Sequence, residues 1–502
     1  MDYLILLAFI VYFAIVLTIG FLFYKRSHSM EEYILGGRQM NPYVTALSAQ
    51  ASDMSSWLLM GLPGAVMLMG LGEAWIGIGL AAGSYISWLI VAKKLRKHSV
   101  VSGNALTMPE FFSNRFRDEK GYLRLIASVV ILFFFVIYVA SGFKGCGIVM
   151  QTVFPELPLT IAMAVGAIII IVYTFLGGYK AVCWTDFLQG MLMVIAVVVV
   201  PLAVIMNLGG WENVSNAWDQ VGVEEFTNLF WDGGSPLSAI AIVSLLAWAF
   251  GYFGMPHIVV RYMSIRSPRE VKVARRISLV WIVIALSAAI LIGMVGRAYF
   301  QINDMSLEGY NSENIFITLV SEVFVGSLWP FVAGLLFAAV MAAIMSTADS
   351  QLLVASSSIT NDVLGKSKRF DLSDAKLMWI SRVVVIVVAI IAFVLAMVGN
   401  DNIMGLVSYA WAGFGAAFGP LMLLSLYWKR MNLQGAIASM ITGFVVIIFW
   451  ESFMDFTGIY SLLPGFIISM AMGIIVALLT PAPVKEIVDE FDAAQAYDEE
   501  PQ

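Results

Sequence analysis

The chain has 502 residues, 60% hydrophobic and 12% charged, with a mean hydropathy of +0.88. Soluble domains carry about 25% charged residues, so this composition excludes a soluble globular protein and points to an all-α polytopic membrane protein. The net charge of −6 resides in residues 484–502, where seven acids oppose Lys485; the remainder is neutral and carries no nucleic-acid footprint.

Apolar runs close to the ~20 residues that a bilayer requires predict thirteen spans. They fall at roughly 3–24, 42–70, 72–93, 122–151, 157–177, 181–207, 237–264, 271–300, 329–359, 376–398, 402–427, 434–453 and 458–480. Together they read as one transmembrane domain over 1–483, followed by an acidic, solvated and poorly ordered cytoplasmic tail over 484–502. No basic region precedes the first span, so a cleaved signal peptide is not expected. With the N-terminus outside, 26 of the 28 Lys and Arg lie in cytoplasmic loops or helix ends, among them Arg38, Lys180 and Arg261. Lys144 and Arg297 are the two exceptions. The loop 208–236 holds five acids and no base. This asymmetry predicts an external N-terminus and a cytoplasmic C-terminus. In the outer segment 301–328, SENIFITLVSEVF suits a short helix over a vestibule; in the inner segment 99–121, TMPEFFSNRF suits an interfacial helix. Cys146 and Cys183 fall near opposite faces and are read as unpaired packing residues.

The second span is the anomaly. In TALSAQASDMSSWLLMG (45–61), Ser48, Gln50, Ser52, Asp53, Ser55 and Ser56 crowd an apolar run. An ionisable group there costs about 2.5–3.5 kcal/mol on insertion scales, so the cluster must face protein, water or solute. Five spans later, SLLAWAFGYFGMPHIVV places Gly251, Gly254 and Pro256 inside an apolar run. Gly and Pro both weaken a helix there. Matching interruptions in two halves indicate inverted repeats around a central site, here spans 2–6 (42–207) and 7–11 (237–427). In the ninth span, Ala343, Ser346 and Thr347 share a face of small residues.

A broken helix offers carbonyls at the end of its first half and N–H groups at the start of its second, suited to a cation and an anionic group respectively. Carbonyls near Ala51 and Met54, with the Ser346 and Thr347 hydroxyls, suit Na⁺. Ser55 or Ser56 suits a solute carboxylate, and Tyr138, Trp248 and Tyr252 an apolar ring. Each feature has a plainer reading. Asp53 can cap the second half-helix, Ser346 and Thr347 can bond back to their own helix, and Asp186 can be an interfacial acid near Lys180. Arg38 can be a loop charge, and Trp248 with Tyr252 ordinary packing. Catalysis has little support: three His, two distant Cys and no GxxxxGK[ST] loop. No cofactor is expected beyond Na⁺ as coupling ion, and no obligatory protein partner is evident.

The stretches YILGGR (33–38), ALSAQASDMSSWLLMGLPGAV (46–66), FLGGYKAVCWTDFLQ (175–189), GYFGMPHIVVRYM (251–263), AAIMSTADSQLLV (342–354) and VSYAWAGFGAAFGP (407–420) resemble the solute:sodium symporter family, and within it the bacterial sodium/proline branch. The resemblance implies a leucine-transporter-like 5+5 inverted-repeat core with extra helices at both ends, in the bacterial cytoplasmic membrane. It implies Na⁺-driven uptake of L-proline by alternating access. It places sodium on Ala51, Met54, Ala343, Ser346 and Thr347, and ion coupling on Asp53 and Asp186. Proline falls to Ser55, Ser56, Tyr138, Trp248, Tyr252 and Pro256, and gating to Arg38 and Glu313. Ser56 stands where Gly is expected and Met255 where Gln is common. Another small amino acid or carboxylate as solute, or a transporter-like membrane sensor, remain the alternatives.

Overall fold

The computed structural model describes residues 3–24, 29–176, 178–325, 329–365, 372–399 and 402–497. Lys25, Arg26, Lys366, Lys368 and Arg369 of the basic loops, and Asp498, Glu499 and Glu500 of the tail, lie outside the described residues. In chain order the main helices are α1 (Tyr3–Tyr24), α2 (Pro42–Asp53), α3 (Leu62–Met69), α4 (Ala74–Ser87), α5 (Tyr122–Val153), α6 (Leu159–Leu176), α7 (Tyr179–Asn207), α8 (Ala239–Leu246), α9 (Pro256–Ser264), α10 (Val271–Ile302), α11 (Pro330–Ser357), α12 (Asp374–Val398), α13 (Ile403–Tyr427), α14 (Leu433–Phe453), α15 (Leu462–Leu479) and α16 (Lys485–Ala496).

Among the described residues, ten helices are long and apolar enough to cross a membrane, or eleven when the bent pair Ala239–Phe253 and Pro256–Ser264 counts as one span. The expected thirteen is not met on this measure. Span 2 is divided between α2 and a shorter apolar helix, Trp57–Met69, and span 5 is short, at Leu159–Val172.

Helix starts follow local chemistry. The Asn41 side chain accepts from the N–H groups of Tyr43 and Val44 (3.0 and 2.9 Å), and Pro42 takes the first turn, where its missing N–H leaves nothing unsatisfied. Asn402 and Asn432 cap α13 and α14 in the same way. Helix α11 is buried almost continuously from Ala333 to Ser357. Around it lie α2, α5 and α7, and α2 also packs on α9 and α10. The outermost helices turn apolar side chains outward, as Val383, Val387, Ile390, Ile391 and Val394 do on α12. Such a face suits lipid, and helices satisfy their own backbone there.

The segments between spans carry short structure. Met108–Arg115 is helical, as is Ile315–Val320. Between α7 and α8 lie the helix Trp211–Trp218 and a small hairpin pairing Trp231–Asp232 with Ser235–Pro236. Cys146 and Cys183 are buried and free.

The tail differs from the expectation. Residues 485–496 form a docked helix rather than a solvated end. Ile487, Phe491 and Ala494 are buried, and Phe491 lies against His98 and beneath the Arg115 guanidinium. Arg117 pairs with Glu490 (2.6 Å) and Lys429 with Asp492 (2.5 Å). The acidic composition concealed a one-sided apolar stripe, which supplies the docking energy.

Candidate functional site

Both interruptions are real breaks. The first runs through Met54 and Ser55, after which Trp57–Gly61 forms a wide i→i+5 turn leading into α3. The second lies at Gly254 and Met255, between a 3₁₀ segment, Ala247–Phe253, and α9, with a bend of 46°. The glycines there serve close packing as much as flexibility. A Cβ on Gly251 would lie 2.1 Å from Trp411 Nε1, and one on Gly254 would lie 2.4 Å from the Phe414 carbonyl oxygen. The break is therefore pressed against α13.

The two breaks meet. The Tyr252 hydroxyl donates a short hydrogen bond to the Asp53 carboxylate. Asp53 is fully buried at the end of α2, and its second carboxylate oxygen has no hydrogen-bond partner. Its backbone carbonyl accepts from Trp57 Nε1 (3.1 Å). Asp53 does not cap the second half-helix; its side chain joins one broken helix to the other. Trp248 lies among Tyr460, Trp411 and Trp57 (centroids 5.1, 6.4 and 6.5 Å), and its carbonyl accepts from Trp411 Nε1 (2.8 Å).

The hydroxyl pair on α11 faces the first break. Ser346 Oγ donates to the Ala51 carbonyl (2.7 Å) and lies 3.1 Å from the Ala343 carbonyl. Thr347 Oγ1 donates to the Ala343 carbonyl (3.1 Å). Back-bonding within α11 and contact with α2 thus coexist. Ala51, Ala343, Ser346 and Thr347 are brought together as oxygen donors, and Met54 follows one turn later as the residue that ends α2. Beside them is a narrow cavity lined by Ser55, Tyr138, Thr347 and Gln351, closed tightly on its own walls. Ser56 packs instead against Gly145 of α5. Pro256 opens α9 and lines a second cavity, with Tyr179, Arg261 and Asp362.

A second polar cluster lies on the N-terminal side of the first break, around Ser48. On that side of the break, Asp186 is buried and paired with Arg261 (3.0 Å), not with Lys180. Ser48 Oγ donates to Asp186 (2.6 Å), and Arg261 also reaches Ser48, Ser350 and the His257 carbonyl. Arg261, which the sequence reading counted among the basic residues of the cytoplasmic loops and helix ends, is 1% exposed and ties α2, α7, α9 and α11 together. The signal available was its position in HIVVRYM, inside an apolar helix four residues past His257. Nearer the surface, Gly36, Gly37 and Arg38 all have left-handed φ (64°, 63° and 52°), a strained conformation for Arg. Arg38 bonds Asn104 (2.9 Å), Ser99 (3.0 Å) and the carbonyls of Met263 (2.8 Å) and Ala105 (2.7 Å).

At the opposite face, Glu313 accepts from the N–H groups of Ile403 and Met404 (3.1 and 2.9 Å) at the start of α13. Burial pushes its carboxyl pKa up, against the pull of those N–H groups and of Lys144.

Paired broken helices that meet at Asp53 and Tyr252, with oxygens of α2 and α11 gathered beside the first break, are the arrangement of a secondary transporter. The chain belongs to the sodium:solute symporter family, whose model matches residues 33–443. It is 43% identical over 495 residues to the sodium/proline symporter of Salmonella typhimurium (strain LT2), covering 98% of this chain and 96% of the relative. It is 43% identical over 481 residues to the high-affinity proline transporter of Bacillus subtilis (strain 168), covering 95% of this chain and 99% of the relative. A solved structure of a substrate-bound, outward-open Na⁺-coupled sialic acid symporter has the same fold, with a TM-score of 0.81 at 20% identity over 96% of this chain and 99% of that one. The core is the leucine-transporter-like arrangement of inverted repeats.

Proposed function

We propose that the protein couples inward Na⁺ movement to uptake of L-proline by alternating access. The observation that carries this is the bond from Ser346 on α11 to the Ala51 carbonyl at the end of broken α2, in a chain 43% identical to named sodium/proline symporters. Na⁺ takes the carbonyl and hydroxyl oxygens of Ala51, Met54, Ala343, Ser346 and Thr347. A cation there replaces a hydrogen bond with stronger electrostatic ties and draws α2 onto α11. Proline lies beyond the break, with Ser55 and Tyr138 on its polar side and Trp248 and Tyr252 on its apolar side. Ser56 and Pro256 shape the surrounding walls. Asp53, bonded to Tyr252, links the cation-bearing helix to the solute-bearing one, so each ligand favours the other.

The basic face is cytoplasmic, by the Lys and Arg bias, which places the N-terminus outside and the C-terminus inside. Arg38 and the Asp186–Arg261 pair then close the inner path, and Glu313 the outer one. Ions passing inward meet Asp186 when Arg261 releases it. Residues 42–207 and 237–427 form the two repeats, and 485–496 dock on the cytoplasmic side.

Purified protein in proteoliposomes tests this. An inward Na⁺ gradient should accumulate proline several-fold, and K⁺ should not replace Na⁺. Equal uptake with K⁺, or no accumulation, rejects the reading. Competition by other small amino acids and carboxylates tests the choice of solute.

A further inference from the structure

Helices α14 and α15 follow the inverted-repeat core in the chain, yet the turn between them reaches the second break. Tyr460 stands two residues before α15. Its ring stacks on Trp248, with centroids 5.1 Å apart and planes 19° from parallel. Its N–H donates to Ser244 Oγ on α8 (2.6 Å), and its hydroxyl donates to the Ser408 carbonyl on α13 (2.7 Å). One residue thus touches the helix before the break, the indole within it and the helix packed across it. Packing along α15 fixes this placement. Phe466 stacks on Phe250 of the 3₁₀ segment (4.5 Å, 18°), and a Cβ on Gly415 of α13 would lie 2.6 Å from Leu462. Behind the turn, Trp450 Nε1 donates to the Ile459 carbonyl (3.0 Å) and Ser461 Oγ to Glu451 (2.5 Å).

We propose that Tyr460 is a positioning residue of the transport site and its outer lid, seating the Trp248 indole with its ring and latching α13 with its hydroxyl. This rests on the symport reading above and on its orientation in the membrane. Glu313 accepts from the N–H groups of Ile403 and Met404, and Tyr460 donates to the carbonyl of Ser408, so both hold the same end of α13. That end faces outside by the Lys and Arg bias. The Tyr460–Ser408 bond is part-buried. When it parts, water takes over both groups, so its net contribution is small. Such a bond suits a latch that opens and re-forms in each transport cycle. The stacked ring does a second job. A parallel aromatic pair has a preferred geometry, so Tyr460 holds the indole in one plane, where the apolar side of the solute rests. The hairpin of α14 and α15 is then part of the gate rather than a flank of the core.

Two substitutions separate the ring from the hydroxyl. Tyr460→Phe keeps the stack and loses the latch. In proteoliposomes the maximal rate of Na⁺-driven proline uptake should fall roughly three- to tenfold, the scale of one hydrogen bond, with KM within about twofold of the parent. Tyr460→Leu also loses the stack, and KM should rise about tenfold. A direct readout of the lid uses Ser244→Cys, at a position 4% exposed beneath the Tyr460 backbone, with Cys146→Ala and Cys183→Ala. A membrane-impermeant thiol reagent added outside should label that cysteine roughly three- to tenfold faster once Tyr460→Phe is added, at an unchanged unfolding temperature. Labelling and maximal rate both unchanged by Tyr460→Phe overturn the proposal. So does a loss of rate that tracks a lower unfolding temperature in both variants, which makes Tyr460 a packing residue. A parent protein that accumulates no proline sinks the symport reading alone, since the labelling still reports the lid.

Discussion

Asp53 and Tyr252 show what a single buried contact can link. A carboxylate with one hydrogen bond and one idle oxygen is costly to bury, and the fold retains it where two broken helices meet. Asp53→Asn should abolish most Na⁺-driven proline uptake and raise the Na⁺ concentration for half-activation in any residual activity. Wild-type Na⁺ dependence in that variant would refute the coupling role. Tyr252→Phe removes the donor and should shift half-activation in the same direction by roughly three- to tenfold, read from uptake against Na⁺ concentration. The Asp186–Arg261 pair makes a different prediction. Removing one partner of a buried pair costs about 3–5 kcal/mol, whereas replacing both with apolar groups is often neutral. Asp186→Ala should therefore lower thermal stability in detergent more than Asp186→Leu combined with Arg261→Met. The reverse order would mean that the pair is not the tie that the distances indicate.

At the level of elements, the sequence located both breaks and misjudged what maintains one of them. Gly251 and Gly254 read as helix weakeners, yet each marks a place where α13 leaves no room for a Cβ. Overpacking of this kind costs about 1–3 kcal/mol. Gly251→Ala should lower the unfolding temperature in detergent, with Trp411→Phe partly restoring it by freeing space at the indole nitrogen. The docked α16 was hidden for a related reason. Its charge count dominates a composition reading, while docking depends on Ile487, Phe491 and Ala494 falling on one stripe. The ion pairs around it involve exposed partners, and such pairs contribute little. Phe491→Asp should accordingly release the helix to protease attack in inside-out vesicles, and Glu490→Gln should not. Equal resistance of both variants would assign the docking elsewhere.

Across the whole molecule, the ties lie on opposite faces of one central gap. Arg38 and Arg261 hold helices together on the basic side, and Glu313 holds α13 on the other. Alternating access requires that one set yields while the other holds. Glu313→Ala leaves two helix N–H groups without their acceptor and should reduce proline turnover about tenfold, whereas Glu313→Gln, which still accepts, should approach wild type in the same uptake assay.

The sequence by itself determined the membrane class, the two interruptions, the hydroxyl pair on α11 and the charge asymmetry. All of these follow from hydropathy, helical period and the local chemistry of Gly, Pro and Ser, which act over a few residues. The tertiary structure decided which of those residues meet. That Tyr252 reaches Asp53, that Arg261 turns inward to Asp186, and that Gln351 faces the same cavity as Ser55 depend on contacts across tens to hundreds of residues. A buried arginine and a loop arginine look alike in sequence; the partner brought to it by the fold makes the difference.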